Sequence, residues 1–397
     1  MMNTEAKFNL PNKSVDGDDD RNSIADYYNH QSVELIGHNV DVLTKILVGL
    51  PAKSILRFKS VSKQWLSLLT HPRFTFTFDK LSRSSGLYYH ELHVSFDVTS
   101  PTTPPFRSLD SCSDTDIRIV QSCNGLLLCR YDKYHECNGY YYVFNPTTKK
   151  FASIPPVIGS PDAEILIRFM GLAYHPTECV HYKLVCILRA GHSKLDQGYD
   201  EDMNRIYGVY WNGAFHWAPY CRNPMYLRLD SEQLQDFPLP STLPVLRYGY
   251  CRKRPLYFGE SHGHLHLVDT IDENNPSSLN VYEMLKDHSG WFIKYQLDFH
   301  ELFATYPNMT LTYRMFYGDK FEFIVLDVIR GEEDEDTFMV VKVVDNIKRY
   351  NILDKSFKQL CEIPDNIEEV KKYFSKAFSK TFHRCVGHRY IEKIGSF

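Results

Sequence analysis

The chain has 397 residues, 43% hydrophobic and 24% charged, which is typical of globular proteins with a sizeable core. Its net charge of -4 argues against a dedicated nucleic-acid-binding or membrane-surface protein. The ten cysteines include no C-x-x-C pair, the start shows no signal-peptide pattern, and no apolar run approaches the roughly 20 residues that span a bilayer. We therefore expect free thiols and a cytoplasmic or nuclear location.

The first 78 residues divide into a polar tail and a helical unit. Residues 1–34 are polar and include an acidic run, so we predict a disordered tail. Within residues 35–78 the apolar positions take helical spacing, beginning with the stripe Val40, Leu43, Leu47 and Leu50. We expect Pro51 to end the first of three short helices and to suit the first position of the second, and Ser62 to cap the third. A unit this small buries little by itself, so it is expected to need a partner.

The rest of the chain is predicted to be all-β. We interpret residues 79–115 as a linker with the first strands and residues 116–397 as one β domain, because aromatic and β-branched runs alternate there with turn signals. A pentapeptide of the form aromatic-or-Leu, x, x, apolar, Pro occurs as FASIP, LQDFP and LCEIP, with prolines 83 and 126 residues apart. These separations are close to two and three periods of about 42 residues, which matches one four-stranded propeller blade.

Glycines support the same period. Predicted strand starts are marked by glycines that lie 46, 42 and 50 residues apart: Gly125, Gly171, Gly213 and Gly263. Five periods separate the first and last pentapeptide prolines, which implies six repeat positions. We therefore predict a six-bladed β-propeller, closed by a last strand near Tyr390–Ile394. The polar stretch between Leu188 and Tyr207 leaves one blade incomplete or shortens a loop, and a pair of β-sandwiches is the alternative fold.

Polar clusters give weak signals for chemistry. His262, His264 and His266 alternate as on a strand and could chelate a metal, but the stretch also resembles a hairpin turn followed by a core strand. The acidic run Glu332 to Asp336 is predicted to be a solvated hairpin loop, with contact to a basic substrate as the alternative. The sequence contains no nucleophile elbow, phosphate loop or H-E-x-x-H. We therefore predict no catalytic residue, cofactor or metal site.

Two known families resemble the chain. Residues 38–78 resemble an F-box through DVLTKIL, LPAKSILRFKSVSKQW and HPRF. The remainder resembles the F-box-associated domain of a large plant family through SCNGLLLCR, YVFNPTTKKFASIPP, GLAYHP, YGVYWNGAFHW, GHLHLV and YIEKI. The resemblance implies a kelch-like propeller for the second domain. F-boxes usually open with Leu-Pro before the first helix, whereas this chain reads IGHNVD there.

The resemblance also implies a function. It identifies the chain as a non-catalytic substrate receptor of a Skp–cullin–F-box ubiquitin ligase, which binds the Skp adaptor through the F-box and an unidentified protein substrate through the β domain. The residues expected to contact the adaptor are Val40, Leu43, Leu47, Leu50, Pro51, Val61 and Trp65. The acid-free cations between Leu50 and Trp65 are expected to face an acidic adaptor rather than nucleic acid. No membrane partner is expected, and a carbohydrate- or small-molecule-binding propeller is the alternative function.

Overall fold

The computed structural model describes residues 39–81, 84–89, 92–97, 117–131, 140–156, 165–176, 181–190, 208–217, 224–240, 255–272, 275–306, 310–311, 322–364 and 387–395. The predicted tail, 1–34, and the polar stretch 191–207 lie outside these residues. The chain divides into two units, with the boundary between Thr77 and Phe78. Among the described residues, none of the helices has the length and apolar character needed to cross a membrane.

The described part of the N-terminal region, from residue 39, contains four helices: α1 (Val40–Leu47), α2 (Ala52–Phe58), α3 (Lys63–Thr70) and α4 (Pro72–Leu81). Asn39 Oδ1 accepts a hydrogen bond from the Val42 amide at 3.1 Å and caps α1. Ser62 Oγ caps α3 as predicted, because it accepts from the Trp65 amide at 3.2 Å. Pro51 lies at the N-cap of α2, one position earlier than predicted. The buried apolar residues of the helical unit are Leu43, Leu47, Ala52, Ile55, Leu69 and Phe74.

The prediction of three helices is wrong, because α4 is a fourth. Its sequence FTFTF alternates with a period of two, as a strand does, so the short pattern was ambiguous. In the structure Phe74 and Phe78 are both buried, four residues apart on one side of a helix. The hydroxyls of Thr75 and Thr77 donate to backbone carbonyls one turn earlier, at 3.0 and 2.8 Å. Threonine is thus accommodated at two half-buried positions of α4.

The second unit contains twenty-two strands in six sheets among the described residues, together with one short helix, α5 (His300–Thr305). The first sheet contains β1 (Ser84–Tyr89), β2 (Leu92–Ser95) and β22 (Gly387–Ile391). The second contains β3 (Ile117–Cys123), β4 (Leu126–Tyr131), β5 (Tyr140–Asn145) and β6 (Lys150–Ser153). The third contains β7 (Ile165–Ala173) and β8 (Lys183–Ala190). The fourth sheet contains β9 (Gly208–Trp211), β10 (Ala214–Trp217), β11 (Met225–Arg228) and β12 (Leu234–Asp236). The fifth contains β13 (Tyr257–Ser261), β14 (His264–Asp272), β15 (Asn275–Met284) and β16 (Trp291–Asp298). The sixth contains β17 (Thr310–Leu311), β18 (Glu322–Ile329), β19 (Phe338–Val343), β20 (Asn346–Asn351) and β21 (Phe357–Glu362).

The sheets are arranged as a β-propeller. One strand from each sheet contacts its counterparts on both sides, in the circular order β22, β3, β7, β9, β13 and β18. Five sheets have three to five strands and form the blades of a five-bladed propeller, and β7–β8 is a two-stranded sheet between two of them. The predicted six blades are therefore not confirmed, since the remaining position holds only two strands in the described residues. The β-sandwich alternative does not describe this circular arrangement.

The last strand closes the ring, as predicted, although it begins three residues earlier than expected. β22 pairs antiparallel with β1, with Arg389 opposite Leu87. One blade therefore contains both early and late strands of the unit. Asn145 Nδ2 fixes the segment after β22 by donating to the backbone carbonyls of Lys393 and Gly395, both at 3.1 Å. The NPTT motif that contains Asn145 thus contributes directly to ring closure.

The repeated pentapeptides form the outermost strands of three blades, β6, β12 and β21. In each, the apolar residue before proline turns inwards, and its amide donates to a backbone carbonyl of the neighbouring strand or loop at 2.7–3.1 Å: Ile154, Phe237 and Ile363. Gly125, Gly213 and Gly263 have φ values of 85°, 73° and 76° in the tight turns between paired strands. Gly171 differs from the prediction, since it lies inside β7 against the ring of Phe169.

Candidate functional site

The residues predicted to contact an adaptor differ in how much of each side chain is exposed to solvent. Leu43 and Leu47 are buried and form part of the core of the helical unit. Leu50 and Trp65 are half-buried. The exposed members are Val40, Pro51 and Val61, with Val40 53% and Val61 62% exposed. The structure therefore leaves only part of the predicted set accessible to a partner.

Four further apolar residues of the helical unit are exposed and were missed by the sequence analysis: Val42, Ile46, Leu66 and Phe76. Val42 and Ile46 are four residues apart and share one flank of α1. The prediction followed the main apolar stripe, which includes the buried Leu43 and Leu47. It therefore left out this flank. The available signal was the presence of large apolar side chains outside the main stripe. An accessible apolar flank of this kind suits a protein interface.

The turn between α2 and α3 presents Val61. The rings of Phe58 and Trp65 meet edge to face with centroids 5.2 Å apart, which joins the two helices across the turn. The Val61 amide donates to the Phe58 carbonyl at 3.1 Å and fixes the backbone at the exposed side chain. Val61 is thus an apolar residue on a defined turn.

The axis of the propeller contains a buried charge pair. Arg389 on β22 donates to both carboxylate oxygens of Asp327 on β18, at 3.0 and 2.6 Å, and the Tyr257 hydroxyl donates to Asp327 Oδ1 at 2.7 Å. Burial works to lower the pKa of Arg389, but the charge of Asp327 outweighs it and the pKa is raised. The guanidinium therefore stays charged. The adjoining cavity has a volume of about 50 Å³.

A second buried ion pair involves Lys393, in the segment that follows β22. Lys393 Nζ is 3.5 Å from Asp79 Oδ2 and also bonds to the Tyr174 hydroxyl. Burial raises the pKa of Asp79 and lowers that of Lys393, because each charge is removed from water. Asp79 Oδ1 accepts from the Ile394 amide at 3.0 Å. These contacts hold the segment after β22 in place, so the ion pair has a structural role.

The histidines singled out in the sequence do not share one strand face. His262 lies in the turn with a φ of 52°, whereas His264 and His266 lie on β14. His264 Nδ1 is 2.8 Å from Glu283 Oε1, and His266 Nε2 is 3.6 Å from Glu283 Oε2. Burial alone would raise the pKa of Glu283, but the two histidines outweigh it and lower the pKa. Among the described residues no group of three or more His, Cys, Asp or Glu side chains could hold a metal ion.

A ring stack joins two neighbouring blades. The His288 ring packs parallel to Tyr226 and His216, with centroids 4.5 and 5.0 Å away, and the Nε2 atoms of the two histidines are 2.9 Å apart. Burial lowers the pKa of His216 to about 3, so this histidine is neutral at neutral pH. Sequence analysis missed the stack because its members are up to 72 residues apart.

The comparisons agree with the helical unit. Residues 39–77 match the F-box domain family. F-box protein At5g07610 of Arabidopsis thaliana is 28% identical over 89% of this chain and 93% of its own length. F-box protein At5g49610 of the same plant is 38% identical over 29% of this chain and 32% of its own length.

Similarity to solved structures is weak. The major allergen Mala s 1 of Malassezia sympodialis matches with a TM-score of 0.28 and 11% identity, covering 62% of this chain and 77% of that one. The kelch-like character of the β domain stays a prediction. The chain contains an F-box domain at residues 39–77 followed by a five-bladed all-β propeller, and over most of its length it is similar to an Arabidopsis F-box protein.

Proposed function

We propose that this protein is a substrate-recognition subunit of a Skp–cullin–F-box ubiquitin ligase. The match of residues 39–77 to the F-box domain is the observation that carries the proposal, since F-box proteins generally have this role. The partners are the Skp adaptor and, through it, a cullin–RING ligase. The propeller suits a substrate-binding domain, and its proposed partner is a protein substrate.

Exposure assigns different roles to the proposed adaptor residues. Val40, Pro51 and Val61 supply accessible apolar contacts, to which the flank of Val42 and Ile46 adds area. Leu50 and Trp65 are half-buried, so only part of each side chain is accessible to the adaptor. The buried Leu43 and Leu47 act indirectly, because they shape the unit that presents the others.

The proposed contribution to ubiquitination is proximity. The chain would hold a substrate lysine close to the enzyme that carries activated ubiquitin, which raises the effective concentration of the acceptor. The bond to ubiquitin is made by other members of the ligase. This chain is therefore an adaptor, and we propose a cytoplasmic or nuclear location, which the thiols of Cys129, Cys186 and Cys361, unbridged in the described residues, support.

The alternative of a carbohydrate- or small-molecule-binding propeller has less support. The described axial cavity of about 50 Å³ is far smaller than typical ligand pockets of roughly 300–1,000 Å³. Its charged side chains Arg389 and Asp327 are bonded to each other.

The proposal is tested by measuring the Kd between the full chain and a purified Arabidopsis Skp adaptor. We expect Val61→Asp to weaken binding by about tenfold or more, because it places a charge in an apolar contact. Leu353→Asp is the matched control, since Leu353 on the propeller is 60% exposed against 62% for Val61. A folded wild-type chain that does not bind the adaptor at micromolar concentration would refute the proposal. Equal binding by Val61→Asp would exclude the Val61 surface.

A further inference from the structure

One position of the propeller holds a narrow sheet. Among the described residues β7 and β8 form a sheet of two strands, whereas the neighbouring sheets on both sides, β3–β6 and β9–β12, have four strands each. Within the described part of the chain, no strand pairs with the outer edge of β8. That edge is recessed by two strand spacings, about 10 Å, between the two wider sheets. We refer to the space beyond β8, between these two sheets, as the β8 slot.

Both faces of β8 are apolar. Leu184 and Cys186 pack against the buried cluster on the side of the β3–β6 sheet. Val185 and Ile187 alternate with them and pack against the cluster on the side of the β9–β12 sheet, which includes Phe215. The four side chains of β8 are only half-buried. A further strand beside β8 would therefore contact apolar surface on both of its own faces.

The β9–β12 sheet presents exposed apolar side chains to the β8 slot. Leu227 packs against the same cluster as Val185 and Ile187. Leu234 lies opposite Leu227 in the β11–β12 pair, and Met225 is two residues before Leu227, so the three side chains share one face of the sheet. Leu234 is 59% exposed and Met225 38% exposed. They extend the apolar side of the slot beyond the edge of β8.

We propose that β8 pairs with an extended apolar segment of the protein substrate, which adds a third strand to the sheet and covers Leu234 and Met225. The inference rests on the proposed function, which makes the partner a ligase substrate. A strand edge presents alternating backbone N–H and C=O groups, and the backbone of another extended peptide complements them. Since both sides of the slot are apolar, they favour apolar residues at successive positions of that segment.

Two other occupants fit the β8 slot less well. The β8 strand of a second copy would be equally recessed, so the two edges could not approach to one strand spacing. The residues that follow β8 in this chain, 191–207, have the sequence GHSKLDQGYDEDMNRIY, with six charged residues and no run of three apolar ones. A strand that is covered on both faces typically has such a run. An apolar segment from another protein is therefore the occupant that we propose.

The test uses a random octapeptide library displayed on phage and selected against the immobilised full chain. We expect the enriched peptides to be apolar at successive positions, and the Kd is measured for the most enriched one as a synthetic peptide. Leu234→Asp is expected to weaken its binding by about tenfold or more, because a charge would face the added strand. Leu353→Asp is the matched control and is expected to bind as wild type, since Leu353 lies in the turn between β20 and β21 and is 60% exposed.

Backbone pairing is tested with two N-methylated forms of the same peptide and the wild-type chain. An edge strand bonds to alternate residues of its partner, so methylation of one alternate set of nitrogens is expected to weaken binding about tenfold or more. Methylation of the other set, whose N–H groups point away from β8, is expected to change the Kd little. In hydrogen exchange, the peptide is expected to lower deuterium uptake by β8 and not by β16, an outermost strand that also has eight residues.

The outcomes distinguish this inference from the proposed function. Equal binding by a folded Leu234→Asp chain, or equal weakening by the two N-methylated forms, would overturn strand addition at β8. Full protection of the β8 amides in the peptide-free chain would also overturn it, because the chain itself would then cover the edge. The proposed function would stand in each case, since adaptor binding is measured separately. A wild-type chain that pairs β8 with the peptide but does not bind the adaptor would overturn the proposed function alone.

Discussion

His216 stacks with His288 and Tyr226 between two neighbouring blades, and its ring is buried there. Burial lowers the pKa of His216 to about 3 from an ordinary value of 6.5, because its ring is removed from water and faces a second histidine. Burial also lowers the pKa of His288. The packing between these blades is therefore expected to depend on pH below neutrality.

The sign of this dependence follows from the two pKa values. Above pH 6.5 His216 is neutral in both folded and unfolded chains. Between pH 6.5 and about 3 the unfolded chain binds a proton there and the folded chain does not, so the free energy of unfolding falls as the pH falls. The change is at most about 1.4 kcal/mol for each pH unit from a single group.

We predict that His216→Phe reduces the loss of stability on acidification, because it keeps an aromatic ring and removes the titrating nitrogens. The measurement is the Tm of variant and wild type at pH 7.5 and pH 5. His300→Gln is the control, since it removes an exposed histidine from the same unit. An equal drop in Tm for His216→Phe and wild type would show that other groups control acid stability.

β22 depends on its pairing with β1 and on the Arg389–Asp327 pair. The strand joins the two ends of the propeller, and its arginine bridges to β18 of the adjacent blade. Asp327 is buried and also accepts the Tyr257 hydroxyl and the Val328 amide. Removal of the arginine would leave this carboxylate buried without its counter-charge.

We predict that Arg389→Met lowers the free energy of unfolding by about 3–5 kcal/mol, because it leaves one partner of a buried ion pair. Arg389→Met/Asp327→Leu is expected to recover part of the loss, since it removes the uncompensated charge as well. Urea unfolding measures both. The control is Arg228→Met, whose partner Asp230 is equally close, at 2.6 Å, but exposed, so little change is expected. Similar losses for Arg228→Met and Arg389→Met would contradict the role given to burial.

Local signals in the sequence predicted local elements well. The helix that begins at Val40 and the Ser62 cap were confirmed, because each depends on residues within a few positions of one another, although the first helix ends at Leu47 and not at Pro51. α4 was missed because FTFTF is too short to distinguish a period of 2 from 3.6. The six predicted blades are not confirmed, because only the period implied a full blade after β8, whereas the β7–β8 sheet has two strands in the described residues.

Contacts between distant parts of the chain could not be predicted. The His216–His288 stack and the Arg389–Asp327 pair join residues 72 and 62 positions apart, and their sequence neighbourhoods show no pattern that links them. At the F-box, the spacing of apolar residues identified the stripe but could not separate the buried Leu47 from the exposed Val61. That separation depends on how the helices pack.

The whole chain combines two units with different proposed partners, the adaptor for the F-box and a substrate for the propeller. If the units act independently, a variant that loses one partner keeps the other. The division at Thr77/Phe78 and the distinct helical and β content of the two units support this expectation.

We predict that Val61→Asp in cells keeps substrate bound and reduces its ubiquitination, because the propeller is unaltered and the link to the ligase is lost. Proximity labelling with Val61→Asp and wild-type chains identifies associated proteins, and quantitative ubiquitin-remnant analysis measures their modification. The expected substrates are labelled by both chains and are less ubiquitinated with the variant. Leu353→Asp serves as the control. Unchanged ubiquitination of every labelled protein would contradict the proximity mechanism.

The position of β22 has a consequence for synthesis of the protein. The ribosome makes β1 before every other described strand and its partner β22 after all of them, so the ring cannot close until β22 has been translated. The F-box, at residues 39–77, is complete long before. A premature stop codon shortly before Gly387 would therefore yield a product with an intact F-box and an open propeller. Under the proposed function, such a product would occupy the adaptor without delivering a substrate, and it would inhibit the full-length protein made in the same cell.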